Sequence, residues 1–243
     1  MTQLFARRRK PLTERIGAGI LVASFIAAVL YAVAPTGYIL FGGPDALLVA
    51  KGAAVGLLVL YVLTCSRTLN HLILGAALIA STIGDILLLV PASDAFLCGL
   101  TAFAAAHLIY ITLYLRGRPP LYQASSLRVR LTALIWVATL LTIFWVYPLA
   151  EPPLKLPVVI YGILLATMAS MAVLSRYPLH LTGLGAIFFL LSDAALAIQH
   201  FVGAPAYMGY FIWAAYYTGQ LLMVHGVMKP AGTVPMRGGY RFD

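Results

Sequence analysis

"STIGDILLLV", residues 81–90, sets a carboxylate, Asp85, inside an apolar run. Near the centre of a membrane-spanning helix an aspartate costs roughly 2.5–3.5 kcal/mol on insertion scales, so whether this run is a membrane span decides both the fold and the importance of Asp85. The composition around it settles the class. Over 243 residues the chain is 62% hydrophobic and 9% charged with a mean hydropathy of +0.96, values that exclude an ordinary soluble domain. The fold class is all-α: a polytopic membrane helical bundle.

Runs close to the 20 residues that cross a bilayer fall at 16–34, 46–64, 69–90, 95–115, 129–149, 156–175, 180–201 and 206–228, predicting eight transmembrane helices. The first run follows Arg7, Arg8, Arg9 and Lys10 and closes on Ala32-Val33-Ala34, as a signal peptide would. Its apolar core exceeds a secretory h-region and Pro35 is a poor cleavage junction, so it is read as a helix.

The basic residues set the orientation. All sixteen except Lys51 and Lys155 fall before helix 1, between helices 2 and 3, 4 and 5, or 6 and 7, or after helix 8. The positive-inside rule then places both termini in the cytoplasm. A basic N-terminus (1–15) leads into a single transmembrane domain (16–228), and a cytoplasmic tail (229–243) follows. The +9 net charge therefore reads as orientation and contact with the lipid bilayer, with no nucleic-acid partner. Cys65 and Cys98 fall near opposite membrane faces, which argues against a disulfide, and neither has a metal-ligand spacing. The Ala, Leu and Arg usage suggests a bacterial cytoplasmic membrane.

The polar linker 116–128 divides the helices four and four and suggests a parallel 4+4 internal duplication, with pseudo-repeats at about 16–115 and 129–228. "GLTAFAAAHLIY" (99–110) lies over "GYFIWAAYYTGQ" (209–220), pairing His107 with Tyr217 and Tyr110 with Gln220. "GAALIASTIGDILL" (75–88) lies over "GLGAIFFLLSDAAL" (183–196), pairing Asp85 with Asp193; "AKG" (50–52) over "IYG" (160–162) pairs Lys51 with Tyr161. Counted at 1.5 Å per residue, Lys51, Asp85, Tyr161 and Asp193 lie roughly 8–12 Å below the outer surface, with His107 and Tyr217 in a second layer near 17 Å.

Buried carboxylates in a bilayer are functional by default. Asp85 and Asp193 are accordingly the catalytic candidates, with Lys51, His107, Tyr110, Tyr161, Ser192, Tyr217 and Gln220 as substrate-binding wall residues. The blander readings are a structural carboxylate pair, a snorkelling Lys51, a core histidine, and a serine bonded to its own helix.

The motifs "IGDILLL" (83–89), "FLCGLTAFAAAHLIY" (96–110), "YGILLATM" (161–168), "LGAIFFLLSD" (184–193) and "YYTGQLLMVHG" (216–226) resemble, in order and spacing, the YhhN-like lysoplasmalogenase family of eight-helix membrane proteins. Gly52 follows Lys51 where family members often carry proline. The resemblance implies hydrolysis of the vinyl-ether bond of a lysophospholipid substrate, giving a fatty aldehyde and a glycerophospho-headgroup. Such ethers open by protonation of the β carbon and capture of the oxocarbenium ion by water, which needs an acid and a base and no metal or other cofactor. Asp85 near Lys51 would stay ionised and orient water, and Asp193, deeper and without a basic neighbour in sequence, would donate the proton; the reversed assignment stays open, since the sequence does not give the helix packing. The rival readings are a proton-coupled lipid or small-solute transporter, a non-catalytic scaffold, and a metal hydrolase using Asp85, His107 and Asp193.

Overall fold

A computed structural model describes residues 11–33, 44–92, 94–116, 118–203, 205 and 207–229. The Arg7–Lys10 cluster, Ala34, Pro35 and all of the tail except Lys229 lie outside the described residues, so the readings placed on them are not addressed by it.

Eight long helices succeed one another: α1 (Pro11–Val33), α2 (Pro44–Cys65), α3 (Leu69–Leu87), α4 (Ala95–Leu115), α5 (Ser126–Val146), α6 (Pro152–Leu174), α7 (Leu184–Ile198) and α8 (Met208–Met228). Their starts follow local chemistry. Thr68 and Ser125 cap α3 and α5 by accepting from the amides of His71 and Arg128. Pro152 and Pro153 open α6, where a missing amide hydrogen costs nothing. No strand occurs among the described residues.

The sequence expects eight spans; seven segments of the described residues are long and apolar enough to cross a membrane, and α8 is outside that set. At 21 residues α8 matches α4 and α5 in length. Its hydropathy is lowered by Tyr216, Tyr217, Thr218, Gln220 and His225, and of these Tyr216, Tyr217 and Gln220 are buried in the bundle. The seventh span also differs in form: α7 is extended by a π-helical turn at each end, Leu179–Gly183 and Gln199–Gly203.

Large apolar side chains cover the outside, among them Leu141, Phe144 and Trp145 on α5 and Phe25 on α1. Polar groups occupy the inside: Lys51, Ser81, Asp85, His107, Ser192 and Gln220 are all buried. That inversion is what a hydrocarbon solvent selects, since polar groups cost least where other polar groups face them. Cys65 and Cys98 are both free thiols, on α2 and α4.

Small residues decide how closely helices approach. A Cβ on Gly185 of α7 would lie 2.7 Å from the Gly219 carbonyl oxygen of α8, and one on Gly219 would lie 2.7 Å from that of Gly185. This backbone-to-backbone crossing fixes the rotation of α7 and α8, and thereby where Asp193 and Tyr216 point.

Candidate functional site

Two polar nests form inside the bundle, one around each aspartate. In the first, Lys51 Nζ of α2 lies 3.6 Å from Asp85 Oδ1 of α3, and the pair is 11% and 2% exposed. Tyr216 of α8 donates to Asp85 Oδ2 at 2.7 Å. Gln220, one turn along α8, donates to Tyr216 at 3.3 Å and accepts from Tyr110 of α4 at 2.6 Å. Lys51 also stands 5.7 Å from the ring centroid of Tyr31, which packs on Trp213; the Trp213 indole in turn donates to the Ala28 carbonyl.

In the second nest Tyr161 of α6 donates a short hydrogen bond to Asp193 Oδ2 of α7. His107 of α4 shares a 3.0 Å hydrogen bond with the Tyr161 hydroxyl, and its Nε2 lies 3.8 Å from Asp193 Oδ2. Three helices thus converge on one carboxylate. His107 is fully buried and its Nδ1 has no hydrogen-bond partner. Sequence counting puts His107 a layer beneath Asp193; in the fold the two side chains meet between α4 and α7.

An aromatic wall stands between the nests. Phe103 meets Tyr216 and Phe189 edge-on at 5.7 and 6.1 Å, and Phe189 meets Tyr216 and His107 at 5.2 and 5.0 Å. Gly84, next to Asp85, makes room for it: a Cβ there would come within 2.7 Å of the Phe103 ring.

Asp193 and Tyr161 open onto a cleft of about 150 Å³ between α4, α5, α6 and α7, otherwise lined by apolar side chains such as Phe96, Leu100, Val158, Leu165 and Ala197 and by Thr139 and Thr142 of α5. Asp85 does not line it. The arrangement offers an acid–base group at the side of a hydrocarbon-sized slot, with a second, ion-paired carboxylate behind the aromatic wall.

Seven of the nine sequence candidates fall into the two nests: Lys51, Asp85, Tyr110 and Gln220 in one, His107, Tyr161 and Asp193 in the other. Two do not. Tyr217 bonds Ser24 of α1 at 2.8 Å, and Ser24 donates on to the Ala54 carbonyl; Ser192 donates to the Ile212 carbonyl, tying α7 to α8. The nine candidates do not include Tyr216, Tyr31, Phe103 or Trp213. The four-residue spacing of Tyr216 and Gln220 was the signal available for the first; nothing local marks the other three. Among the described residues no group of three or more His, Cys, Asp or Glu is placed to share a metal ion.

The chain is 34% identical over 154 residues to the lysoplasmalogenase of Mycobacterium tuberculosis, covering 62% of this chain and 58% of that one. It is 32% identical over 170 residues to human lysoplasmalogenase TMEM86B, covering 70% and 69%, and 37% identical over 150 residues to the pig protein, covering 62% and 61%. The match thus spans less than two thirds of the mycobacterial relative. No solved structure matches significantly. The model of the YhhN family matches residues 46–227, a stretch holding every member of both nests except Tyr31 and its neighbour Ala28, and the chain belongs to that family.

Proposed function

We propose that this protein is a membrane-embedded lysoplasmalogenase, hydrolysing the vinyl-ether bond of lysoplasmenyl phospholipids to a fatty aldehyde and a glycerophospho-headgroup. The observation that carries the reading is Asp193: a carboxylate pinned by Tyr161 and His107 at the side of an otherwise apolar cleft. Relatives named lysoplasmalogenase support it.

At ~30 Å³ per water-sized group the cleft holds about five such groups, enough for the vinyl ether and the first methylenes of the chain. Tyr161 fixes one oxygen of Asp193, and the other carries the proton that is delivered to the β carbon. The α carbon becomes an oxocarbenium centre, water adds to it, and the resulting hemiacetal breaks into aldehyde and glycerol hydroxyl. Asp85, paired with Lys51 and bonded by Tyr216, takes the proton that the attacking water loses, a step for which the Phe103–Phe189 wall has to swing aside because Asp85 does not line the cleft. One proton leaves the acid and one returns to the base for each water consumed, so the site is restored when the two carboxylates re-equilibrate.

The same reading makes the halves parallel copies. Lys51 on α2 reaches Asp85 on α3 as Tyr161 on α6 reaches Asp193 on α7, and Tyr110 bonds its aligned counterpart Gln220. The bundle lies in a bacterial cytoplasmic membrane with both termini in the cytoplasm, a reading supported by Arg67, Arg116, Arg118, Arg128, Arg130, Arg176 and Lys229, which fall at or near alternate junctions of the successive helices. A fluorescent protein fused to the C-terminus glows if α8 completes an eighth crossing, and a periplasm-dependent phosphatase there is active if it does not.

The deciding experiment is aldehyde release from lysoplasmenylethanolamine by purified protein in detergent. Wild type turns over, and Asp85→Asn and Asp193→Asn each lose orders of magnitude. Turnover within a few-fold of wild type in both variants removes the mechanism.

A further inference from the structure

At the end of the bundle away from the arginines, the cleft stops at a cluster that the hydrolytic chemistry leaves unused. Phe96, in the first turn of α4, stacks on His200 with ring centroids 3.8 Å apart and planes within 3° of parallel. Phe201 meets both rings edge-on, at 5.9 and 4.7 Å. Phe96 and Phe201 also line the cleft and close its end, with the exposed His200 stacked on Phe96 and the cluster joining α4 to the π turn after α7. Gly203, at φ +79°, turns the chain away immediately beyond.

Charges ring this wall. Glu151, the exposed N-cap of α6, stands close enough to His200 to act on it electrostatically. Lys155, one turn along α6, lies 5.2 Å from the Tyr147 ring centroid, and exposed Asp94 directly precedes α4. Lys155 is held against the Tyr147 phenol, while Glu151 and Asp94 stand exposed.

The spacing fits one kind of ligand. His200 follows Asp193 by seven residues, which returns it to the same helix face about 10 Å further along the axis. An extended lysoplasmenyl lipid carries its phosphorus roughly 6 Å and its headgroup nitrogen roughly 11 Å from the vinyl-ether oxygen, at the ~1.2 Å per bond of an extended chain. With the ether at Asp193, the nitrogen arrives at the rings.

We propose that Phe96, His200, Phe201 and Glu151 form the subsite for the cationic nitrogen of a choline or ethanolamine headgroup, with Lys155 facing the phosphate. This rests on the reading that the vinyl ether reacts at Asp193. Aromatic faces beside a carboxylate are the surroundings that hold an ammonium in a partly desolvated site, and an exposed Glu beside a Lys matches a zwitterion by charge. The cluster lies at helix ends, where a headgroup sits while its chain enters the bilayer.

The test compares equilibrium binding of two ligands that carry an ester in place of the vinyl ether, lysophosphatidylcholine and lysophosphatidic acid of equal chain length, to the purified full chain in mixed micelles. Wild type binds the choline lipid about ten-fold more tightly, the effect of one well-placed ammonium contact. Glu151→Gln and Phe96→Leu each reduce the ratio below about two-fold, and Glu151→Lys inverts it. Glu151→Asp keeps most of the preference, which a merely structural Glu151 would not require. No preference in wild type, or an unchanged ratio in Glu151→Gln, overturns the proposal; Glu151 is exposed, so this variant folds and decides the matter even if Phe96→Leu does not. Aldehyde release is scored separately. Headgroup preference without hydrolysis removes the hydrolase reading and leaves the subsite; hydrolysis without preference removes only the subsite.

Discussion

Replacing Lys51 by methionine takes away the ammonium 3.6 Å from Asp85 and leaves a carboxylate, 2% exposed, with the Tyr216 bond. Breaking a buried ion pair by deleting one partner costs about 3–5 kcal/mol, because the remaining charge is stranded without its counter-ion. Lys51 is itself 11% exposed, so some solvent reaches the pair and the lower end, about 3 kcal/mol, is expected. For a chain of this size that is a fall of roughly 6–12 °C in Tm. Adding Asp85→Asn removes the stranded charge, and an apolar–amide pair of similar shape then recovers all but about 1 kcal/mol. Activity behaves differently: the double variant has lost the carboxylate proposed as base and stays inactive. Tm in detergent, read by loss of monodisperse elution after heating, and aldehyde release on the same samples give both quantities. A double variant no more stable than Lys51→Met refutes the pairing; a double variant that regains turnover refutes the role of Asp85.

Further outcomes follow from the same geometry. Tyr161→Phe removes the hydroxyl that holds Asp193 and His107, and turnover falls by about two orders of magnitude, as loss of one positioned acid–base partner requires, while stability falls by about 1–3 kcal/mol; an activity within three-fold of wild type would refute it. Ala197→Phe fills the cleft and lowers kcat/KM at least about ten-fold while leaving or raising Tm, measured on the same substrate. Gly185→Ala or Gly219→Ala forces α7 and α8 apart and costs about 1–3 kcal/mol of stability, whereas Gly209→Ala, with nothing within 4 Å, is neutral or stabilising; equal Tm for all three would contradict the close crossing.

The carboxylates could be found in the sequence because a charge in an apolar run stands out whatever surrounds it. Lys51 was legible for the same reason. The aligned halves brought Tyr110, Tyr161 and Gln220 forward, and the fold gives each a partner within the nests. Tyr217 and Ser192 were equally prominent, yet they bond Ser24 and a carbonyl, because each lies on the side of its helix turned to a neighbouring helix rather than to a nest. Phe103 was invisible: in an apolar helix one more phenylalanine carries no mark.

The sequence by itself determined the solvent, the helices and the distribution of basic residues among their ends, since hydropathy and charge are properties of consecutive residues and need no partner to act. Tertiary structure alone decided that Tyr216, 131 residues away, would serve Asp85, and that His107 and Tyr161, 54 apart, would serve Asp193. It also decided that only Asp193 opens onto the cleft. Those facts depend on how far each helix is rotated and slid against the next, and that is set by contacts such as Gly185 on Gly219, where the absence of two side chains fixes the direction of all the others.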